Sequence, residues 1–369
     1  MADPLRPRVH YVPILKGRAG ELRALREMRE PTASRLVPLV EVPAVVEDSD
    51  SDDPESAEIA GDTSKLARDL RRQWPPERRI IVDASLIPAY PNSIPTVDLI
   101  NRLAQADHVI TPTVRPSDSE WAIRHIGEAI HEWGLNSACI RVGGDDLDDN
   151  EVPLADAIDQ VVHQLRLDPD RVDLVLDFGP VMDEQATSFA ARIARLVLSE
   201  LRHEDDWRTL VVAAGAFPPD LNSIQSEVLT ELPRYDAAMW NVLRNRVRGR
   251  LPIFGDYAIA YPAQTAGVPF APAPQLRFTA ETSWYVMKGR KQDRRGARQF
   301  YDICARVAEA GTVDPNLSWG DDYVYRAARS ASNGANVLIK TGNAMIWRAV
   351  GTSHHIAYVA NRLATVGAP

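Results

Sequence analysis

Leu174-Val175-Leu176-Asp177 is followed by Asp183, a helical pattern from Glu184 to Leu201, and then Thr209-Leu210-Val211-Val212-Ala213. The two short runs are almost wholly apolar instead of alternating, which suits parallel strands covered on both faces. The stretch between them carries apolar residues at three- and four-residue spacing, with Asp183 placed to cap it. The same unit repeats outward. Strand-like runs precede it at Tyr11–Lys16, Leu36–Val42, Ile80–Asp83, His108–Val114 and Ala138–Val142, and one more follows at Pro252–Ile259. Helical patterns separate them at Gly20–Arg29, Ser64–Trp74, Thr96–Ala106, Ser119–Trp133, Leu154–Leu165 and Ile224–Arg248. Thr63 or Ser64 and Ser117 to Ser119 supply caps, and Pro75-Pro76 stops the helix that ends at Trp74. Strict alternation admits either an open doubly wound sheet or a closed barrel. Eight strands and a first turn without glycine clustering favour an α/β fold of the (β/α)8 TIM-like barrel type.

This reading gives residues 1–262 to the barrel, including an acid-rich, solvated loop at Glu47–Asp62. Residues 263–275 form a Pro/Ala-rich linker, and residues 276–369 a smaller C-terminal α+β appendage packing on the barrel. Within the appendage, Leu276–Lys288 looks extended, Ala297–Ala310 and Asp321–Ser332 helical, Ala335–Ile339 a short strand or helix, and His355–Leu363 a last helix. Whether this unit is a lid or a partner-binding surface stays open.

The 369 residues are 45% hydrophobic and 25% charged, an ordinary globular balance, and the formal charge of −9 would repel a nucleic-acid backbone from the molecule as a whole. A local patch escapes that argument. Arg277–Arg306 holds eight Lys or Arg against three acids, with Trp284, Tyr285, Phe300 and Tyr301 interleaved. That mixture suits either a nucleotide surface or an amphipathic helix facing the acidic loop, so nucleic-acid binding stays open. Cys139 and Cys304 lie far apart inside apolar stretches, as buried thiols of a reducing compartment do. With no run of 18 apolar residues and no signal-peptide core, a cytoplasmic protein without membrane contact is expected.

Barrel enzymes keep their chemistry at the C-terminal ends of the strands. Those ends read Lys16, Glu41, Asp83, Arg115, Arg141, Asp177 and Asp256, with Ala213 to Ala216 closing the seventh strand. So many charges on one rim mean either a ring of mutual ion pairs or a working pocket. In the second case Glu41, Asp83, Asp177 and Asp256 act as acid, base or ligands of Mg²⁺ or a similar divalent cation. Lys16, Arg18, Arg115, Arg141 and Tyr257 then hold the substrate. A Schiff base on Lys16 is disfavoured by the nearby carboxylates, and glycoside hydrolysis by the scarcity of aromatic platforms beyond Tyr257 and Phe217. Gly143-Gly144-Asp145-Asp146 reads as a turn. His354-His355 lack the helical spacing of a zinc pair, and read as capping or lid contacts. No GxxxxGK[ST], GxGxxG or GxSxG occurs.

Several segments give the chain a likeness to a known family. Tyr11-Val12-Pro13-Ile14-Leu15-Lys16-Gly17-Arg18 with Glu21-Leu22, Val37-Pro38-Leu39-Val40-Glu41-Val42-Pro43, Gly255-Asp256-Tyr257, and Trp347-Arg348 with Val350-Gly351-Thr352 and His354-His355 resemble the beta protein family of prokaryotes and bacteriophages. The likeness spans barrel and tail. It departs after the seventh strand, where Ala214-Gly215-Ala216-Phe217-Pro218 stands in place of a Ser-rich segment. The resemblance implies a setting in mobile elements and antiviral defence, without naming a reaction. The expectation is a hydrolase or transferase, metal-assisted, acting on a phosphate-containing ligand such as a nucleotide. The alternative is a non-catalytic module that senses a ligand or binds a partner protein from the same locus.

Overall fold

The computed structural model describes residues 9–47, 58–147, 152–263, 272–311, 313–332 and 337–369. Eight parallel strands close a barrel: β1 (Tyr11–Leu15), β2 (Leu39–Glu41), β3 (Ile80–Asp83), β4 (Ile110–Val114), β5 (Ala138–Gly143), β6 (Val172–Pro180), β7 (Thr209–Gly215) and β8 (Ile253–Asp256). Each pairs with its neighbours in sequence, and β8 returns to β1 through Tyr11 opposite Phe254. The (β/α)8 TIM-like architecture is therefore the fold of the chain.

Side-chain parity divides the core in two. Val12, Ile14, Leu39, Ile81, Cys139, Val175, Val211 and Ala213 fill the lumen, whereas Tyr11, Leu15, Val40, Val82, Ile140, Leu174, Leu176, Val212 and Phe254 face the surrounding helices. Because successive strand residues point to opposite faces, this split also decides where every charged strand end points.

Three segments differ from the sequence reading. Ile224–Arg248 is not one helix: Thr230–Pro233 is a strand, and the helix runs only from Tyr235 to Arg244. Pro233 removes a backbone donor, so the chain cannot run helically through it. The strand pairs antiparallel with Ser283–Lys288, which also pairs with Gln275–Thr279. A segment from the β7–β8 connection thus completes the sheet of the C-terminal unit. The last helix spans Ala344–Val366, beginning well before His355, with Asn343 Oδ1 accepting from the Ile346 amide at 3.2 Å. Its Trp347–Ala357 part is buried almost without a break, so it shows no amphipathic stripe for sequence inspection to find. This helix packs on Ala19–Arg26, and its Ile356, Val359, Ala360 and Leu363 join the core that surrounds the barrel. It fills the place of the eighth barrel helix, so the intervening residues form an insertion between β8 and that helix. Third, the ends of the acid-rich loop pair as a hairpin, Ala44–Glu47 with Glu58–Gly61. Its tip (48–57), most of the linker (264–271) and the start of Ala335–Ile339 lie outside the described residues.

The opposite mouth is closed by charge. Asp173 is fully buried and accepts from Arg208 Nε at 2.9 Å, Arg208 Nη2 at 2.7 Å, Arg79 Nη1 at 3.3 Å and the Thr209 hydroxyl. Burial pushes its carboxyl up, but the two guanidiniums outweigh burial and hold it below the usual range. Removing the acid strands buried cations. Asp173→Ala should cost about 3–5 kcal/mol in a urea melt at neutral pH, and a loss under ~1 kcal/mol would show that the plug is solvated.

Candidate functional site

Parity gathers most of the charged strand ends. Lys16, Glu41, Asp83, Arg141 and Asp177 all continue the lumen face, and all are buried at the C-terminal mouth. Arg141 stands at the centre. Its Nη1 lies 2.8 Å from Glu41 Oε1 and 2.5 Å from Asp83 Oδ2, and its Nη2 2.7 Å from Asp177 Oδ2. Nε adds a second bond to Asp177 at 3.0 Å. Lys16 Nζ sits 2.7 Å from the other oxygen of Glu41 and also donates to the carbonyl of Pro262. The Tyr257 hydroxyl donates to Asp177 Oδ2 at 2.5 Å, with Arg141 Nη2 at 2.6 Å from the phenol oxygen.

Local backbone places these groups. Gly215 lets Tyr257 and Pro262 close over β7, where an added Cβ would meet Pro262 Cγ at 2.6 Å. Ala258 takes a left-handed φ of 51° just after Tyr257, and its amide donates to Asp256 Oδ1 at 2.9 Å. That backbone costs on the order of 1 kcal/mol and turns the chain across the mouth. Asp146 accepts from the amides of Gly143 at 3.1 Å and Ser117 at 2.9 Å, so the 3₁₀ turn Gly144–Leu147 is held by a side chain.

The remaining sequence candidates fall elsewhere. Arg115 reaches the rim, where its Nε donates to Ser85 Oγ at 2.8 Å; it forms no ion pair among the described residues. Arg18 is exposed at the start of helix Ala19–Arg26 and does not line the pocket. Asp256 has the opposite parity to Tyr257 and leaves the mouth altogether. It is buried against the last helix, accepting from Tyr11 Oη at 2.5 Å and meeting His355 Nε2 at 2.8 Å, with Arg234 Nη2 3.7 Å away. His355 Nδ1 lies 2.8 Å from Thr279 Oγ1. His354 is equally buried: its Nδ1 meets Asp321 Oδ1 at 2.9 Å, and its Nε2 donates to Thr279 O at 2.8 Å. The two histidines therefore lock the inserted unit to barrel and helix, a far larger structural role than the capping or lid contacts expected of them. Tyr11 and Arg234 carried no sequence signal for this cluster.

The floor is charged and settled. Burial alone would push Asp177 and Asp83 up, but Arg141 outweighs it, helped by Tyr257 at the first and by Arg115 and Ser85 at the second, and both end below the usual carboxylate range. The Tyr257 phenol is pushed well above its ordinary value by burial, then by Asp177 and Glu41, so it stays a neutral donor. Arg141 occupies the position between Glu41, Asp83 and Asp177 that a shared metal would need, and among the described residues no three acidic, His or Cys side chains cluster to hold one. Divalent-cation chemistry at these four acids therefore does not fit the donor set.

Above the floor opens a pocket of about 510 Å³, walled on one side by Leu86, Leu147, Phe178, Val181, Phe189 and Ile193. That is the size and character of a small-molecule site.

A family model described as Beta protein matches residues 11–361. The chain belongs to the Beta protein family. No curated protein matches it significantly. Among solved structures, it is similar to the enoyl reductase domain of MlnA from the macrolactin biosynthesis cluster of Bacillus amyloliquefaciens. The likeness covers 96% of this chain and 92% of that one at 11% identity, with a TM-score of 0.36, which is too slight to carry an argument. In this Beta protein family member the segments that marked the resemblance come together: Lys16 and Glu41 pair at the mouth, and Asp256 pairs with His355 behind it.

Asp118 provides a pH test of the rim. Burial raises its carboxyl to about 6, and Asp83 and Asp146 add to this against the amide of Arg115, which donates to it at 2.8 Å. A carboxyl raised on folding favours the folded state while protonated, and that advantage is lost as pH climbs from about 4 to 6. Asp118→Asn should thus raise the Tm at pH 7.5 and leave it unchanged near pH 4; equal effects at both would refute the raised value.

Proposed function

We propose that the barrel mouth binds a phosphate-carrying small molecule of nucleotide size, as a ligand-sensing module and not as a metal-assisted hydrolase or transferase. One observation carries this reading: the floor is a set of mutually paired ions around Arg141, while the pocket above it is open and Arg115 on its rim forms no ion pair among the described residues. A pre-paired floor supplies fixed donors and acceptors for a ligand's polar edge without reorganising. Asp83 and Asp177 are held ionised and the Tyr257 phenol neutral, so none of these groups is tuned to exchange protons near neutral pH. The apolar wall suits a base or similar flat body, and a guanidinium on the rim suits a phosphate. Hydrolase or transferase chemistry draws less support, because the central position is taken by a side-chain cation.

The family likeness adds the setting: phage defence in the cytoplasm, with the bound ligand signalling to a partner protein from the same locus. The buried, unbridged Cys139 and Cys304 suit a reducing compartment. Among the described residues no helix is long and apolar enough to cross a membrane.

The test is calorimetric titration of a nucleotide panel. Arg115→Gln should weaken the best ligand by about tenfold or more, and Phe189→Ala should weaken it with no loss of Tm, since that ring is 59% exposed. In a host carrying the locus, Arg115→Gln should lower resistance to phage. Binding by neither wild type nor variant, or rapid turnover of the ligand, would overturn the proposal.

A further inference from the structure

Behind the pocket, on the same side of the barrel, the balance of charge is reversed. Arg277, from strand Gln275–Thr279 of the inserted unit, and Arg348, from the last helix, both direct Nη1 at a single acceptor, the carbonyl of Ile259, at 2.7 and 3.3 Å. Arg277 also lies over the ring of Phe217, 4.3 Å from its centre. Ile259 follows β8 and Phe217 follows β7, so this cluster lies at the mouth end of the barrel. Arg18 opens the helix at Ala19–Arg26 next to them, and its charge acts on both.

None of these three arginines forms an ion pair among the described residues. The acid whose charge reaches Arg277 and Arg348 is Glu21, itself buried, whose Oε2 accepts the backbone amide of Arg18 at 3.1 Å. Burial, then the neighbouring positive charges, lower Arg277 well below its ordinary value. Buried and half-buried cations are normally paired, because desolvation without a counter-charge is costly. Nor can the cluster simply spread apart. An added Cβ at Gly20 would lie 2.9 Å from Arg348 Cβ, and one at Gly351 2.5 Å from Arg277 O, so the backbones carrying the two side chains are in close contact with their surroundings.

We propose that Arg18, Arg277 and Arg348 form an anion site that takes a phosphate dianion, free or as the end of a phosphate monoester. Three guanidiniums against one carboxylate leave two positive charges, which a dianion balances and a simple carboxylate does not. Guanidinium edges match phosphate oxygens in pairs. The site joins the first barrel loop, the inserted unit and the last helix, so its occupant bridges three separate parts of the chain. It is distinct from the mouth pocket, since none of the three arginines lines that pocket.

The experiment compares thermal stability and calorimetric binding in inorganic phosphate, in a nucleoside monophosphate, and in chloride of equal ionic strength. Wild type should gain Tm in phosphate beyond chloride. Arg348→Met should lose that gain, with affinity down about tenfold or more, yet keep or exceed the wild-type Tm in chloride because a repulsion is removed. Glu21→Gln should bind phosphate more tightly. Arg115→Gln, at the separate pocket, should keep the phosphate response, so failure of the pocket reading leaves this one standing. Tighter binding of the monophosphate assigns the ester as ligand, and equal binding assigns phosphate alone. Equal Tm in phosphate and chloride would overturn the proposal, as would an Arg348→Met protein that is destabilised in chloride but still responds to phosphate.

Discussion

The ion cluster around Arg141 is the constraint on which the barrel mouth depends. Glu41, Asp83 and Asp177 come from β2, β3 and β6, and all three point into one lumen from which water is largely excluded. Three acidic side chains could not share that space as anions unaided, since burial and mutual repulsion both oppose charge there. A single guanidinium with its fan of donors contacts all three, and Lys16 and Tyr257 take the remaining directions. Such clusters add little net stability over an apolar core, but leaving one member out is expensive. What the cluster secures is geometry: the strand ends are tied to one another across the lumen, and the floor of the pocket is rigid before a ligand arrives.

The same parity that builds the floor explains how much of it was legible in sequence. All eight strands could be read from apolar runs, though the fifth and sixth run on to Gly143 and Pro180, past Arg141 and Asp177. Orientation could be checked only against the lumen residues of each strand, and β8 shows what is lost without that check. Ile253, Gly255 and Tyr257 continue one face, while Phe254 and Asp256 continue the other. Phe254 packs on Tyr11 and Trp240 outside the barrel, which sends Asp256 to His355 instead of to Arg141. Asp118, Ser85 and Phe189 were invisible for a different reason: they sit on loops and a helix whose approach to the mouth is fixed by tertiary packing.

The C-terminal third was harder to read because it is not a separate appendage in space. Thr230–Pro233 donates a strand to it, and the helix at Ala344–Val366 returns to complete the barrel's outer ring. Buried contacts hold the seam: His355 to Asp256 and Thr279, His354 to Asp321 and Thr279, and Phe278 stacked on His354 at 3.5 Å between ring centres. The two ring nitrogens of His354 face Asp321 Oδ1 and the Thr279 carbonyl, so the ring joins the last helix to two elements of the insertion. The insertion keeps a hydrophobic core of its own around Phe278, Phe300 and Val324, while Trp284 and Val286 join the core around the barrel.

The most direct test of this account is the stability of Arg141→Met across pH, measured by denaturant unfolding. In the wild type the carboxylates held low by Arg141 contribute stability above their ordinary range and lose it as pH falls through their folded values. In the variant Asp83 and Asp177 are buried without Arg141, so they are raised and destabilise the protein as pH increases. The account predicts a deficit of about 3–5 kcal/mol at pH 7.5 that shrinks steeply toward pH 4. A small deficit, or one that does not change with pH, would contradict the claim that Arg141 balances the charges at the mouth.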